Sequence, residues 1–182
     1  MAGALIVVPY DPQWPATFDA ISAHLQELLH TAQVKVLSIE HVGSTSVPGL
    51  AAKPIIDIDI VVERAWVDAA SRALEADGYT PLGEMGIVDR WAFRPPDGAP
   101  RQNTYVVVEG SLCIRDHRAL RDTLRTNAEL RDEYSAVKLA LAERTDDIDV
   151  YIDGKTDVIL KVLSIAGIAQ DELDELERIN RL

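Results

Sequence analysis

Two aspartates, Asp57 and Asp59, stand one residue apart inside the otherwise apolar run PIIDIDIVV, residues 54–62. A carboxylate is costly to bury without a partner, so their presence there calls for a cause. In a β-strand alternate residues share a face, which sends both carboxylates to one side and Ile56, Ile58 and Ile60 to the other. Their Cα atoms are then roughly 6–7 Å apart, and like charges at that range raise each other's pKa unless a cation or several donors compensate. Mg²⁺ suits such a pair. It prefers hard oxygen ligands, usually takes one or two carboxylates, and leaves its other positions to water and phosphate oxygens.

Twelve residues lie between Ser44 and Asp57, and the preceding HVGSTS stretch places Gly43, Ser44, Thr45 and Ser46 directly after an apolar run. Backbone N–H groups and hydroxyls in such a turn can face an anion, and Lys53 adds a point charge just before the acidic strand. A phosphate would bridge the two halves. The same alternation also fits a half-exposed antiparallel strand whose wet face carries Asp57 and Asp59. His41, before the turn, reads either as a phosphate-orienting group or as a structural hydrogen-bonding residue, and His117 reads the same way. With one cysteine, Cys113, and histidines scattered at 24, 30, 41 and 117, no zinc spacing is evident. The STSVPG loop lacks the G-x-S-x-G frame of a nucleophile elbow.

The elements that must position these groups follow from periodicity. ALIVV is a short strand candidate. Trp14, Phe18, Ile21, Leu25 and Leu28 recur at helical steps. VKVLSIEHV and PIIDIDIVV read as strands on either side of the Gly-Ser turn, and WVDAASRALEADG reads as a helix ending on Gly78. RWAF and NTYVVVEGS surround a Pro/Gly-rich loop, which suits an antiparallel hairpin. Beyond Ser111 the chain reads as helical, with stripes at Leu130, Tyr134, Val137 and Leu141 and at Val158, Ile159, Val162 and Leu163, separated by a turn at Asp153-Gly154.

The 182 residues suit one domain, 1–182, and no apolar run approaches the ~20 residues of a membrane span. A formal net charge of −12 weighs against nucleic acid as a partner. The N-terminus has neither a basic region nor an apolar core of signal-peptide length, and the single cysteine has no intrachain partner, so a cytoplasmic protein is expected. Arg90, Arg115, Arg121 and Arg125 are available to an anion site, although helix-borne cations are more often solvated or paired with neighbouring acids such as Asp122 and Glu129.

The run EHVGSTSVPGLAAKPIIDI resembles the signature of the GrpB family, and VPYDPQWP resembles that family's N-terminal segment. GIVDRWAF, NTYVVVEGS, RDHRALRDTLR, DEYSAVKLALA and DVYIDGK extend the resemblance from about Val8 to Leu163. It implies an α+β fold of the nucleotidyltransferase superfamily related to DNA polymerase β: a mixed sheet with flanking helices and a helical C-terminal part. It further implies that Asp57 and Asp59 hold Mg²⁺, that Gly43 and Ser44 hold nucleotide phosphates, and that Lys138 and Lys155, which fall in its motifs, assist. The expected partners are a nucleoside triphosphate and a small-molecule acceptor. Members of the superfamily supply a third carboxylate from a later strand; Glu109, on the face of Tyr105 and Val107, is the strand-borne candidate, with Asp89 and Asp97 on loops. This chain departs from the pattern at Asp89, where relatives often carry Gly, and at His117-Arg118 and Asn127-Ala128. Domains resembling the family also occur fused to dephospho-CoA kinase, which implies a noncatalytic nucleotide-binding or accessory module as the alternative. Metal-dependent phosphate ester hydrolysis is a third.

Overall fold

The computed structural model describes residues 5–181. Five strands, β1 (Val36–Val42), β2 (Ile56–Val62), β3 (Thr80–Gly83), β4 (Arg90–Arg94) and β5 (Gln102–Val108), form one mixed sheet in the order β1-β2-β5-β4-β3. Only β2 and β5 run parallel; the other neighbours are antiparallel, including the anticipated β4/β5 pair. The helices are α1 (Trp14–Thr31), α2 (Val67–Ala76), α3 (Leu112–Thr126), α4 (Ala128–Ala142), α5 (Ile148–Ile165) and α6 (Gln170–Asn180). The architecture is α+β, a mixed sheet flanked by helices and followed by a helical C-terminal part.

Strand alternation sorts β2 as its sequence requires. Ile56, Ile58, Ile60 and Val62 face α1 and α2, where they join Leu25, Leu29, Ala70 and Leu74 in the main core. Each of these Ile, Leu and Val side chains, removed from water, contributes roughly 1.5–3 kcal/mol. Val61 turns the other way and packs with Val107, Cys113 and Ile114 beneath α3. The second face of β2 is therefore covered as well, and Asp57 and Asp59 do not form a wet face.

A third cluster, of Val47, Leu50, Leu124, Leu130, Tyr134, Val158 and Val162, joins the segment after the Gly-Ser turn to α3, α4 and α5. Asn127 ends α3 and caps α4, its side chain accepting from the Leu130 N–H at 3.1 Å. Asp147 caps α5 by accepting from the N–H groups of Asp149 and Val150.

Two expectations change, and one strand was not anticipated. Asp153-Gly154 is not a turn: α5 runs straight through it, and a Cβ at Gly154 would lie 2.5 Å from Leu141 Cδ2, so the glycine permits close approach of α5 to α4. The ALIVV segment starts at Ala4, outside the described residues, and its last residue, Val8, makes an isolated bridge with Ala52. The short exposed strand β3, with Pro81 and Gly83 and no apolar alternation, gives little signal in the sequence. Among the described residues, no helix is long and apolar enough to cross a membrane.

Candidate functional site

The turn after β1 is pressed against β2. Val42 and Asp57 are register partners, and Gly43 follows at φ +67°, ψ −171°, where a Cβ would fall 2.2 Å from Asp57 Oδ2. Only glycine fits that approach and that backbone conformation. The residues Ser44–Ser46 then form a single 3-10 turn whose hydroxyls divide their roles. Ser46 Oγ donates to Gly43 O at 2.6 Å, and Thr45 Oγ1 donates to Ile55 O at 3.2 Å. Both side chains are buried, so they hold the turn's shape. Ser44 instead lines a cavity of about 530 Å³ and accepts from Lys138 Nζ at 2.9 Å.

His41 secures the turn from beneath. Its Nε2 lies 2.9 Å from Thr45 Oγ1, and because that hydroxyl already donates to Ile55 O, the ring must donate here. Burial, reinforced by Arg125 and Arg121, pushes the His41 pKa down to about 4, so the ring is neutral at pH 7. It stacks on Phe18 at 4.7 Å between ring centroids. The structural alternative for His41 fits these contacts. Arg125 completes the brace by donating from Nε and Nη2 to Ser46 O at 3.0 and 2.7 Å.

Three lysines converge on the Ser44 side of the cavity. Lys53 and Lys155 line it beside Tyr151, their Nζ atoms 5.6 and 5.2 Å from the ring centroid. Lys138 stands behind Ser44, 1% exposed, with Nζ 4.2 Å from the Tyr134 ring centroid. Burial pushes Lys138 down to about 6 and Lys155 to about 8, with the neighbouring lysine charge adding to each. Burial also lowers Lys53, against the opposing pull of Asp57. Lys138 is therefore largely neutral at pH 7, and all three amines sit where a charge is poorly solvated and where an anion would favour it.

The two aspartates have different settings. Asp57 lines the cavity and accepts from Asn103 Nδ2 at 2.7 Å; burial raises its pKa more than that bond lowers it. Asp59 is 0% exposed. Its Oδ2 meets His117 Nδ1 at 2.7 Å, while its Oδ1 is buried without a hydrogen-bond partner among the described residues. His117 is 25% exposed and lines the cavity between Asp59 and open space. Burial opposes its charge, but Asp59 and Cys113 outweigh burial and hold its pKa well above the usual value.

Glu109, the strand-borne candidate for a third carboxylate, is not brought to this pair. It is exposed at the end of β5 and accepts from Arg118 Nη1 at 2.9 Å. The residues opposite Asp57 and Asp59 on β5 are Asn103 and Tyr105. Asp89 lies at φ +66°, a backbone conformation that suits the glycine often found there in relatives, and its carboxylate pairs with Arg64. Asp97 does not line the cavity. Arg90 does, its guanidinium 4.6 Å over the Tyr105 ring.

Sequence reasoning missed Glu40, which faces the same side as its register partner Asp59. Burial would raise its pKa, but bonds from Arg118, Arg121 and Ser38 bring it to about 2. Arg118 and Arg121 are thereby committed to pinning α3 onto β1. Asn103 was also missed, although its alternation with Tyr105 and Val107 marks its face.

The GrpB protein family model matches residues 4–164. The UPF0157 protein YqkA of Bacillus subtilis is 33% identical over 157 residues, which cover 84% of this chain and 44% of that protein. A dephospho-CoA kinase of Mycolicibacterium paratuberculosis is 30% identical over 173 residues, 80% of this chain and 42% of the kinase. The chain thus spans less than half the length of either. A crystal structure of the conserved protein GrpB from Enterococcus faecalis superposes with a TM-score of 0.77 at 33% identity, covering 93% of this chain and 98% of that one.

Proposed function

The chain belongs to the GrpB family, and we propose that its cavity binds a nucleoside triphosphate with Mg²⁺ and transfers the nucleotidyl group to the hydroxyl of a small acceptor. The observation that carries this reading is the convergence of Ser44, Lys53, Lys138 and Lys155 on the end of a 530 Å³ cavity where Asp57 presents its carboxylate. A triphosphate matches that end in charge. Lys53 and Lys155 reach its oxygens directly, and Lys138 acts through Ser44, with charge-assisted hydrogen bonds each worth about 1.5–3 kcal/mol.

The donor set fits magnesium in kind. Asp57 and Asp59 share a face of β2, offer only oxygens, and leave Asp59 Oδ1 buried without a partner. Bound there, Mg²⁺ would neutralise charge on the phosphates and on the leaving pyrophosphate. The chain's own residues do the rest. Gly43 lets the turn reach Asp57, the lysines fix the phosphates, and the remainder of the cavity, walled by Ile87, Val88, Ile148, Ile152 and Leu176, offers an apolar surface against which the acceptor is positioned.

A second reading, a nucleotide-binding or accessory module without transfer, is favoured by one feature: β5 presents Asn103 and Tyr105, and no carboxylate, opposite the acidic pair. The related segment in a dephospho-CoA kinase suits such a role. Labelled nucleoside triphosphates incubated with a metabolite extract separate the two. A labelled adduct that disappears with Asp57→Asn supports transfer, and saturable binding without adduct or free phosphate supports the module.

A further inference from the structure

Among the residues that line the same cavity, the first two turns of α3 present Cys113, Asp116 and His117. They are spaced i, i+3 and i+4, so they share one helix face. One ligand atom from each, Sγ, a carboxylate oxygen and an imidazole nitrogen, lies within 4.8 Å of the other two. Cys113 Sγ is 3.8 Å from His117 Nε2. Two donors at about 2.3 and 2.05 Å from a tetrahedral ion sit roughly 3.6 Å apart, so the separation matches; because Sγ also lies 3.9 Å from Nδ1, a rotation of the Cys113 side chain toward the Nε2 side of the ring completes the arrangement.

Two further observations point to a cation. Asp116 Oδ1 is buried with no hydrogen-bond partner among the described residues. His117 binds Asp59 through Nδ1, which fixes the ring and leaves Nε2 as its ligand atom. A carboxylate behind a metal-binding imidazole is the recurrent arrangement that sets its tautomer and raises its basicity. Here a strand aspartate supplies it.

The geometry points to Cys113, Asp116 and His117 as a three-ligand site for a borderline-soft divalent cation of the zinc class, with Asp59 as the positioning carboxylate of His117. A thiolate and an imidazole select against Mg²⁺, which keeps this site chemically separate from the oxygen-only pair on β2. Three protein ligands on a cavity wall leave the fourth position facing the cavity, open to water or to an anionic oxygen of a bound ligand. The site stands whether or not a nucleotide binds.

The test is a Co²⁺ titration of the reduced full chain, monitored by thiolate-to-cobalt charge-transfer absorption, without nucleotide. One equivalent should saturate the band, Zn²⁺ should displace it, and excess Mg²⁺ should leave it unchanged. Cys113→Ser should abolish the band, Asp116→Asn should weaken affinity at least tenfold, and Asp59→Asn, which removes only the support behind His117, should weaken it about 10–100-fold. Absence of a saturable band in the wild-type chain with a titratable thiol overturns the assignment, as does unchanged affinity in folded Asp116→Asn and His117→Gln.

Discussion

Asp59 and His117 join the sheet to α3 through one contact of 2.7 Å between groups 58 residues apart, with the aspartate wholly buried and the histidine at the cavity wall. Because the carboxylate charge is compensated by the ring, removing either partner leaves an uncompensated buried group. Asp59→Ala should lower unfolding free energy by about 3 kcal/mol or more in a denaturant titration, and should move the His117 ring titration downward in an NMR pH series. An unchanged ring pKa would show that Asp59 does not hold His117.

Glu40 gives the fold an acid limb. Its folded pKa of about 2 lies below the ordinary 4.5, so the stabilisation is present above pH 4.5 and is lost as pH falls toward 2. From the shift, this contribution is roughly 3 kcal/mol. Glu40→Gln should lower stability at pH 7 and flatten its decline between pH 4.5 and 2, as read from urea midpoints across that range.

Gly154 and Leu141 form a matched pair. An alanine inside a helix is intrinsically better than glycine by about 1 kcal/mol, but here its Cβ would meet Leu141 Cδ2 at 2.5 Å. Gly154→Ala should therefore destabilise the wild-type background and stabilise the Leu141→Ala background. A double-mutant cycle on thermal unfolding measures the coupling, and additive changes would refute the contact.

The strand, Gly-Ser turn and acidic strand were legible because each carries a local signal: β-branched alternation, a glycine before hydroxyls, and two carboxylates in a run that otherwise wants none. Asp153-Gly154 carried a turn signal too, yet the glycine answers to helix packing, which depends on Leu141 and not on its sequence neighbours. The same limit hid His117's attachment to Asp59 and Glu40's to Arg118, since pairs 58 and 78 residues apart leave no spacing to read. Lys138 was marked by its motif context. Its burial behind Ser44 follows only from how α4 packs.

The lysines predict a proton uptake. Phosphate oxygens favour the charged forms of Lys138 and Lys155, whose pKa values of about 6 and 8 rise on binding. At pH 7.5 the complex should form with net proton gain, visible as a dependence of calorimetric enthalpy on the buffer's ionisation enthalpy. Affinity should fall as pH rises through 8.

Calorimetric binding of ATP and GTP, with and without Mg²⁺, to the wild-type chain, Lys155→Met and Asp57→Asn decides whether the cavity is a nucleotide site. Saturable, Mg²⁺-enhanced binding of at least one nucleotide is expected, weakened roughly 10–150-fold by Lys155→Met and stripped of its Mg²⁺ enhancement by Asp57→Asn. Equal affinity and equal metal dependence in all three proteins would contradict it.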